Sequence, residues 1–380
     1  HGGHKRLNLI TNRPRPAEGT IVHQPMVPLA SKTALISVVV VNWNRRDLLR
    51  NCLDSLAAQT FTDFEVVVVD NGSDDGSSAL VKEVAESFPR PIRLIENREN
   101  RGFCAANNQG FSASQSEYIA LLNNDAEADP GWLAALLGAI RVKPDVGDSD
   151  VGMAASKILV WEDPRVIDKC GHLIYPDGQN RGRGSGQIDR GQFNRQEEVL
   201  WPDGCAAMYL RAMLDEVGGF DEEFFAYADD AELGLRARIA GWSCLYAPGA
   251  VVRHHRGATL GLSSARRLTL IERNRVLLVV KLFPWNLLWA NGAYHLVRIG
   301  AGMAAALRGK GEIRRYPGLT GKLTAATALI KGTLSALPMI PSMIRKRRAF
   351  RGKHRLSPKQ VRRLLLRYRI KLRELSEQST

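Results

Sequence analysis

Two adjacent carboxylates, Asp229 and Asp230, lie in the run GGFDEEFFAYADDAEL at 218–233. Six acidic residues and four aromatics share this stretch. A solvated helix has no structural reason to crowd like charges beside large apolar rings. Neighbouring carboxylates repel, so one of the two holds its proton more tightly than a free carboxylate does. Such a shift moves a general base toward neutral pH. The pair predicts acid/base chemistry, provided that the rest of the chain supplies a substrate site.

Three further groups offer chemistry, each with a plainer alternative. DNGSDDGS at 70–77 places Asp70 directly after an apolar run. A carboxylate there can accept bonds from a nucleobase or ribose, or the segment is a turn rich in Asp, Asn and Gly. Asn123-Asn124-Asp125 also follows an apolar run. Asp125 can ligate Mg2+ or Mn2+, hard cations that share oxygen ligands with substrate phosphates. The alternative is a helix start, with Asp129-Pro130 as cap and first turn. His254 and His255 follow Ala250-Val251-Val252. A histidine in that setting is more often structural, unless other ligands for Mn2+ are already present.

These residues need a scaffold that gathers strand ends. β-branched runs at 35–41 and 64–69 read as buried parallel strands. Helical stretches are expected at 47–57, 77–88 and 102–112, with further strands at 92–95 and 118–122. The alternation predicts an α/β fold with a mostly parallel, doubly wound sheet and ligands at the carboxyl ends of its strands. Asn42, Asp70 and Asp125 fall at those ends. The polar, glycine-rich segment 177–198 reads as a mobile loop, either a lid or a solvated surface loop. Five cysteines without a close pair are neither a disulfide framework nor a zinc pattern and fit a reducing compartment. Residues 1–34 read as a flexible lead-in, with no secretory signal.

Four motifs occur in one order: SVVVVNWN at 37–44, DNGSDDGS at 70–77, NRGFCAANNQG at 100–110 with LLNNDAE at 121–127, and GGFDEEFFAYADDAELGLRARIAGW at 218–242. Over residues 35–285 the chain resembles the family 2 glycosyltransferases of GT-A fold, of the rhamnosyl- and galactofuranosyltransferase type. The resemblance implies an inverting transfer of a sugar from a nucleotide-diphosphate donor, with Mn2+ or Mg2+ as cofactor. It assigns Asn42, Asp70, Asn107, Asn123, Asn124, Asp203 and Gly204 to the nucleotide-sugar, Asp125 and His254 to the metal, and Asp229-Asp230 to catalysis. Asp230 is then the base, with Asp229 raising its proton affinity or orienting the acceptor. Asn123 stands where the family's metal motif begins with Asp, which leaves Asp125 as the principal carboxylate ligand. Rhamnose on dTDP is the first expectation by resemblance, with UDP-sugars next. The acceptor is expected to be lipid-linked or a polysaccharide of the cell envelope.

Charge divides the chain. Residues 266–380 hold 26 Lys+Arg and 4 Asp+Glu, leaving 27 basic and 35 acidic residues in 1–265. The expected organisation is a GT-A domain over 35–275 and a basic, mostly helical, membrane-associating region over 276–380. Neither 282–297 nor 323–344 gives a clean span of about 20 apolar residues. Tryptophans and basic residues at their edges favour helices lying in an anionic membrane interface. This places the protein on the cytoplasmic face of the inner membrane, peripheral or monotopic. Nucleic acid is not expected, because no stacking platform accompanies the charge. The sequence admits two other readings. One is a catalytically inactive binding protein of the same fold, acting through its tail. The other is a nucleotidyltransferase, disfavoured because Asn42-Trp43-Asn44-Arg45-Arg46 lacks phosphate-loop glycines.

Overall fold

The computed structural model describes residues 21–23, 33–142, 150–256, 264–311, 316 and 318–377. Most of the expected lead-in lies outside them. The exception is β1 (Ile21–His23), which pairs antiparallel with β4 (Ile92–Glu96). β2 (Ile36–Asn42) and β3 (Phe64–Asp70) are the two valine-rich runs, and they pair in parallel. Val38, Val40, Val66 and Val68 fill the core on one face of the sheet, while Val39, Val67 and Val69 fill the other. Burial on both faces is why these strands carry no polar alternation.

Helix α1 (Arg46–Ala57) connects β2 to β3, and α2 (Ser77–Ala85) connects β3 to β4. α3 (Phe103–Ala113) leads into β5 (Tyr118–Leu122), which pairs in parallel with β2. α3 lies close on the sheet: a Cβ added to Gly110 would sit 2.4 Å from Val39 Cγ1. Gly110→Ala is therefore expected to destabilise the fold by about 1–3 kcal/mol through overpacking. Urea unfolding measures this, and an unchanged midpoint would contradict the close approach.

β6 (Ala126–Ala128), α4 (Trp132–Ile140) and β7 (Val151–Val160) follow. The N-cap of α4 is Gly131 without a side-chain bond, so Asp129 is not the cap expected from the sequence. Its carboxylate pairs with Arg253 instead. β8 (Ile167–Lys169) pairs with β7, and β9 (His172–Ile174) forms a hairpin with β10 (Asn180–Gly182). This hairpin occupies the start of the segment read as a mobile loop. Asp177, Arg181 and Ser185 within that segment are buried, and Arg183 lies over the rings of Phe193 and Tyr246. The packing comes from partners remote in sequence, which local composition does not show.

β11 (Glu197–Glu198), β12 (Ala206–Leu210), α5 (Arg211–Val217), α6 (Asp229–Ile239) and β13 (Ser243–His254) complete the sheet. Its order is β1-β4-β3-β2-β5-β12-β7-β13-β11, with β6 on β13 and β8 on β7. Only β4-β3-β2-β5 and the β7–β13 pair are parallel; β12 runs antiparallel between β5 and β7. The sheet is thus mixed rather than mostly parallel. All five cysteines are free and buried.

The C-terminal region is helical: α7 (Ala265–Leu282), α8 (Trp285–Leu307), α9 (Gly318–Ala336), α10 (Ile340–Phe350), α11 (Pro358–Arg367) and α12 (Leu372–Glu377). The boundary expected at 275/276 falls inside α7, so the chain has no break there. The later helices fold back on the domain. Met343, Phe350, Val361, Leu364 and Leu365 join its core, and Arg369 bridges to Ile174. Several cations of this region pair with acids of the front. Lys281 meets Asp221 and Glu232, Lys346 meets Asp221 and Glu223, and Arg355 meets Glu216. Part of the charge asymmetry is thus spent inside the fold. The remaining exposed cations of 345–369 include Arg345, Arg348, Lys359, Arg362 and Arg363.

Candidate active site

Register brings the polar strand ends together. The β2–β3 pairing sets Asn42 opposite Asp70. Asn42 Nδ2 donates to Asp70 Oδ1 at 3.0 Å, and Asn124 Nδ2 donates to Asn42 Oδ1 at 2.7 Å. Ser73 and Ser78 also donate to Asp70, so both carboxylate oxygens already accept bonds within the protein. Asp70 thus braces the strand ends. Asn123 is half-buried beside this network. Asn107 is buried within α3 and donates to the Phe103 carbonyl, one turn before it.

The second group forms where β6 pairs with β13. Ala126 stands opposite His254, which carries Asp125 beside the imidazole. His254 Nε2 lies 3.4 Å from Asp125 Oδ1, and Nδ1 lies 2.9 Å from Asp168 Oδ2. Asp125 Oδ1 is buried and makes no hydrogen bond. An imidazole oriented by a carboxylate behind it and facing a second carboxylate is a donor set suited to a divalent cation.

Across the Asp203-Gly204 turn lies the acidic pair. A Cβ on Gly204 would sit 3.8 Å from Asp229 Oδ2. Both carboxylates belong to the first turn of α6, where the helix N-terminus favours negative charge. Burial, then the Asp230 charge, pushes Asp229 up to about 8. Asp229 thus holds its proton more tightly than a free carboxylate does, as expected for one of the pair. Asp230 Oδ2 instead lies 3.3 Å from His172 Nε2. The same ring nitrogen is 2.9 Å from Asp203 Oδ2, and Lys169 Nζ is 2.7 Å from that oxygen. Burial opposes a charged imidazole, but the Asp230 and Asp203 carboxylates outweigh it and bring His172 up to about 9. Burial likewise opposes ionised Asp203, and Lys169 with His172 holds it well below the usual carboxylate range.

The ligand atoms of His172, Asp203 and Asp230 lie within 4.8 Å of one another, so they form a second grouping able to hold a metal ion. Here the negative charge is matched by Lys169 and the His172 imidazole, whereas Asp125 Oδ1 has the His254 imidazole at 3.4 Å and no lysine beside it. Sequence reasoning missed Lys169, His172 and Asp168. Their one signal is the charged cluster IDKCGH at 167–172, separated by six residues from the apolar run that ends at Val160.

The loop before α6 departs from ordinary backbone geometry. Phe225, Tyr227 and Ala228 have φ of 65°, 70° and 55°. Left-handed conformations of this kind cost non-glycine residues about 1–3 kcal/mol each and persist only where surroundings enforce them. Gly102 makes room for the loop: a Cβ there would meet the Phe225 ring at 2.5 Å. Phe224 is fully buried and belongs to the core.

Residues 37–218 match Glycosyl transferase family 2, and residues 186–329 match Glycosyl transferase family group 2. The chain is 28% identical over 257 residues to the N-acetylglucosaminyl-diphospho-decaprenol L-rhamnosyltransferase of Mycobacterium tuberculosis, covering 62% of this chain and 81% of that protein. It is 27% identical over 243 residues to the uncharacterized protein y4gI of Sinorhizobium fredii, covering 60% of this chain but 25% of that protein. The crystal structure of GalNAc-T7 with UDP, GalNAc and Mn2+ superposes with a TM-score of 0.54 at 13% identity, covering 82% of this chain and 58% of that one. Motif order, strand-end geometry and these matches agree: the chain carries a family 2 glycosyltransferase domain over residues 37–218, with a GT-A-like mixed α/β fold.

Proposed function

We propose that this glycosyltransferase is inverting and metal-dependent. It takes a sugar, rhamnose first, from a dTDP- or UDP-linked donor. It places the sugar on a hydroxyl of a lipid-linked or polysaccharide acceptor in cell-envelope glycan synthesis. The observation that carries this reading is the buried, unbonded Asp125 Oδ1 facing His254 Nε2 at 3.4 Å. The rhamnosyltransferase relative supports the sugar and the lipid-linked acceptor, and the GalNAc-T7 complex supports UDP and Mn2+.

Asp125 and His254 would hold the ion, Mn2+ or Mg2+, with Asp168 fixing the imidazole. The ion's chemistry is to neutralise charge on the departing nucleoside diphosphate. Asn42, Asp70 and Asn124 form the strand-end platform at the nucleotide end of the cleft, and Asn107 and Asn123 flank it. Asp203 and Gly204 form the turn between the metal pair and the acidic pair, where the donor sugar sits. Asp230 accepts the proton of the acceptor hydroxyl as oxygen attacks the anomeric carbon from the side opposite the leaving group. That in-line geometry inverts the centre and needs no protein nucleophile. Asp229 keeps its own proton at neutral pH and serves as a neutral hydrogen-bond donor beside the base. His172 orients the Asp230 carboxylate. Release of nucleoside diphosphate from a panel of nucleotide sugars, with and without Mn2+ or Mg2+, tests the reading. Metal-stimulated release, greatest with dTDP-rhamnose, is expected; no turnover of any donor would overturn it.

The reading includes docking on the cytoplasmic face of the inner membrane through α8 and α9. Trp289, Leu296, Met303 and Leu307 on α8, and Leu319 and Leu323 on α9, are all more than half exposed. Among the described residues one helical run, Gly318–Lys353, is long and apolar enough to cross a membrane, contrary to the sequence-based expectation. Its α9 part nevertheless packs on α7: a Cβ on Gly332 would meet the Thr269 carbonyl at 2.6 Å. One packed face and one bare apolar face suit a helix lying in the interface. Deleting this region would strip core residues, so point changes are the better test. Trp289→Gln, Leu307→Gln and Leu323→Gln together should release the protein from anionic vesicles with an unchanged melting temperature. Undiminished co-sedimentation would contradict this membrane face.

A further inference from the structure

The strained loop 224–228 presents the acidic pair, and its enforcement comes from the C-terminal region. Asn274 of α7 is fully buried. Its Nδ2 lies within hydrogen-bond distance of three carbonyls of the loop, Phe224 at 2.9 Å, Ala226 at 2.8 Å and Tyr227 at 2.6 Å, and shares its two N–H donors among them. Its Oδ1 accepts from Arg273 Nε at 2.9 Å, which fixes the amide with its NH2 toward the loop. Arg273 Nη2 adds a bond to the Phe224 carbonyl at 2.8 Å. The one carbonyl left in this stretch, that of Phe225, accepts from Cys104 N at 3.2 Å. Every carbonyl from 224 to 227 is therefore taken by α7 or α3. The Phe224 carbonyl also accepts from Ala226 N at 2.7 Å, whereas those of Ala226 and Tyr227 accept from Asn274 Nδ2, and leaving these two buried and unpaired would be costly.

We infer that Asn274 is a positioning residue for the transfer reaction. Its side-chain amide holds loop 224–228 in the left-handed conformation that aims Asp229 and Asp230 at the Asp203-Gly204 turn. α7 is thereby a working part of the active site. The inference rests on the glycosyl-transfer reading for its kinetic consequence, but not for its structural one. Without the amide the loop relaxes toward ordinary φ values and carries the start of α6 with it. Displacement of a reacting group by about 1 Å costs about 10²-fold in rate.

The test compares Asn274→Ala, Asn274→Asp and Asn274→Ser in the full chain, by kinetics and by hydrogen–deuterium exchange of the peptide covering 221–232. Asp is isosteric but cannot donate, whereas Ser retains one donor. The expected result is a kcat lower by about 10²-fold for Ala and Asp, an intermediate loss for Ser, and an unchanged KM for the donor. Exchange in 224–230 should rise while the other sheet and helix peptides stay protected. A kcat equal to wild type in any donor-free variant, or unchanged exchange in 224–230, would overturn the inference. So would a loss of protection spread evenly over the whole chain. If wild type itself turns over no nucleotide sugar, the transfer reading fails, and the exchange result alone still decides the role of Asn274.

Discussion

Asp230→Asn is expected to lower the transfer rate by about 10²–10⁴-fold, the usual contribution of a positioned general base. The substitution keeps the shape of the side chain and the contact with His172, so donor affinity should stay near wild type. It also removes the charge that helps hold the proton on Asp229. Asp229→Asn should behave differently. Burial and its neighbour push Asp229 up to about 8, which favours the neutral form, so an uncharged amide is the closer imitation and the loss should be smaller. Initial rates with saturating donor and acceptor measure both. Near-normal turnover in Asp230→Asn, with collapse in Asp229→Asn, would move the base to Asp229.

Asp125→Asn is expected to abolish stimulation by Mn2+ or Mg2+ and to lower kcat at least as far as Asp230→Asn. Charge stabilisation of a departing diphosphate by a metal is worth several kcal/mol, and a rate changes tenfold for each ~1.4 kcal/mol. His254→Gln should follow it, because the imidazole supplies the second ligand and Asp168 holds it toward Asp125. The contrast with Asp230→Asn lies in binding. The metal-site variants should lose metal-dependent affinity for the nucleoside diphosphate, which calorimetry reads directly. A metal response that survives in both variants would remove Asp125 and His254 from the metal.

Some of this was legible in the sequence for plain physical reasons. The runs at 36–42 and 64–70 are strands because both of their faces are buried, and the polar residue that ends each run marks where the sheet opens to a ligand. Asp229 and Asp230 stand out because buried like charges are rarely tolerated without a use. Asp125 and His254 are 129 positions apart, yet antiparallel pairing of β6 with β13 sets them side by side. Other features follow only from tertiary pairing. His172 and Lys169 reach the acidic pair because β8 docks on β7 and β9 turns inward, and no local periodicity encodes that. The basic tail read as a lipid-facing appendage because the partners of Lys281, Lys346 and Arg355 lie 49 to 139 positions earlier in the chain. Asn274 sits in the middle of an ordinary-looking helix, and its role depends on a backbone conformation that no propensity scale assigns to Phe, Tyr or Ala.

The most direct test of the account is a Mn2+ titration, followed by the electron paramagnetic resonance of free Mn2+ in the presence of nucleoside diphosphate. Wild type, Asp125→Ala and His172→Ala are compared. Among the described residues His172, Asp203 and Asp230 bring three ligand atoms together, whereas the proposed site of the ion is the Asp125–His254 pair. The expected result is that Asp125→Ala loses Mn2+ binding while His172→Ala retains it and loses turnover. Retained binding in Asp125→Ala with loss in His172→Ala would place the ion between Asp203 and Asp230, and the assignment of Asp230 as the free base would fall with it.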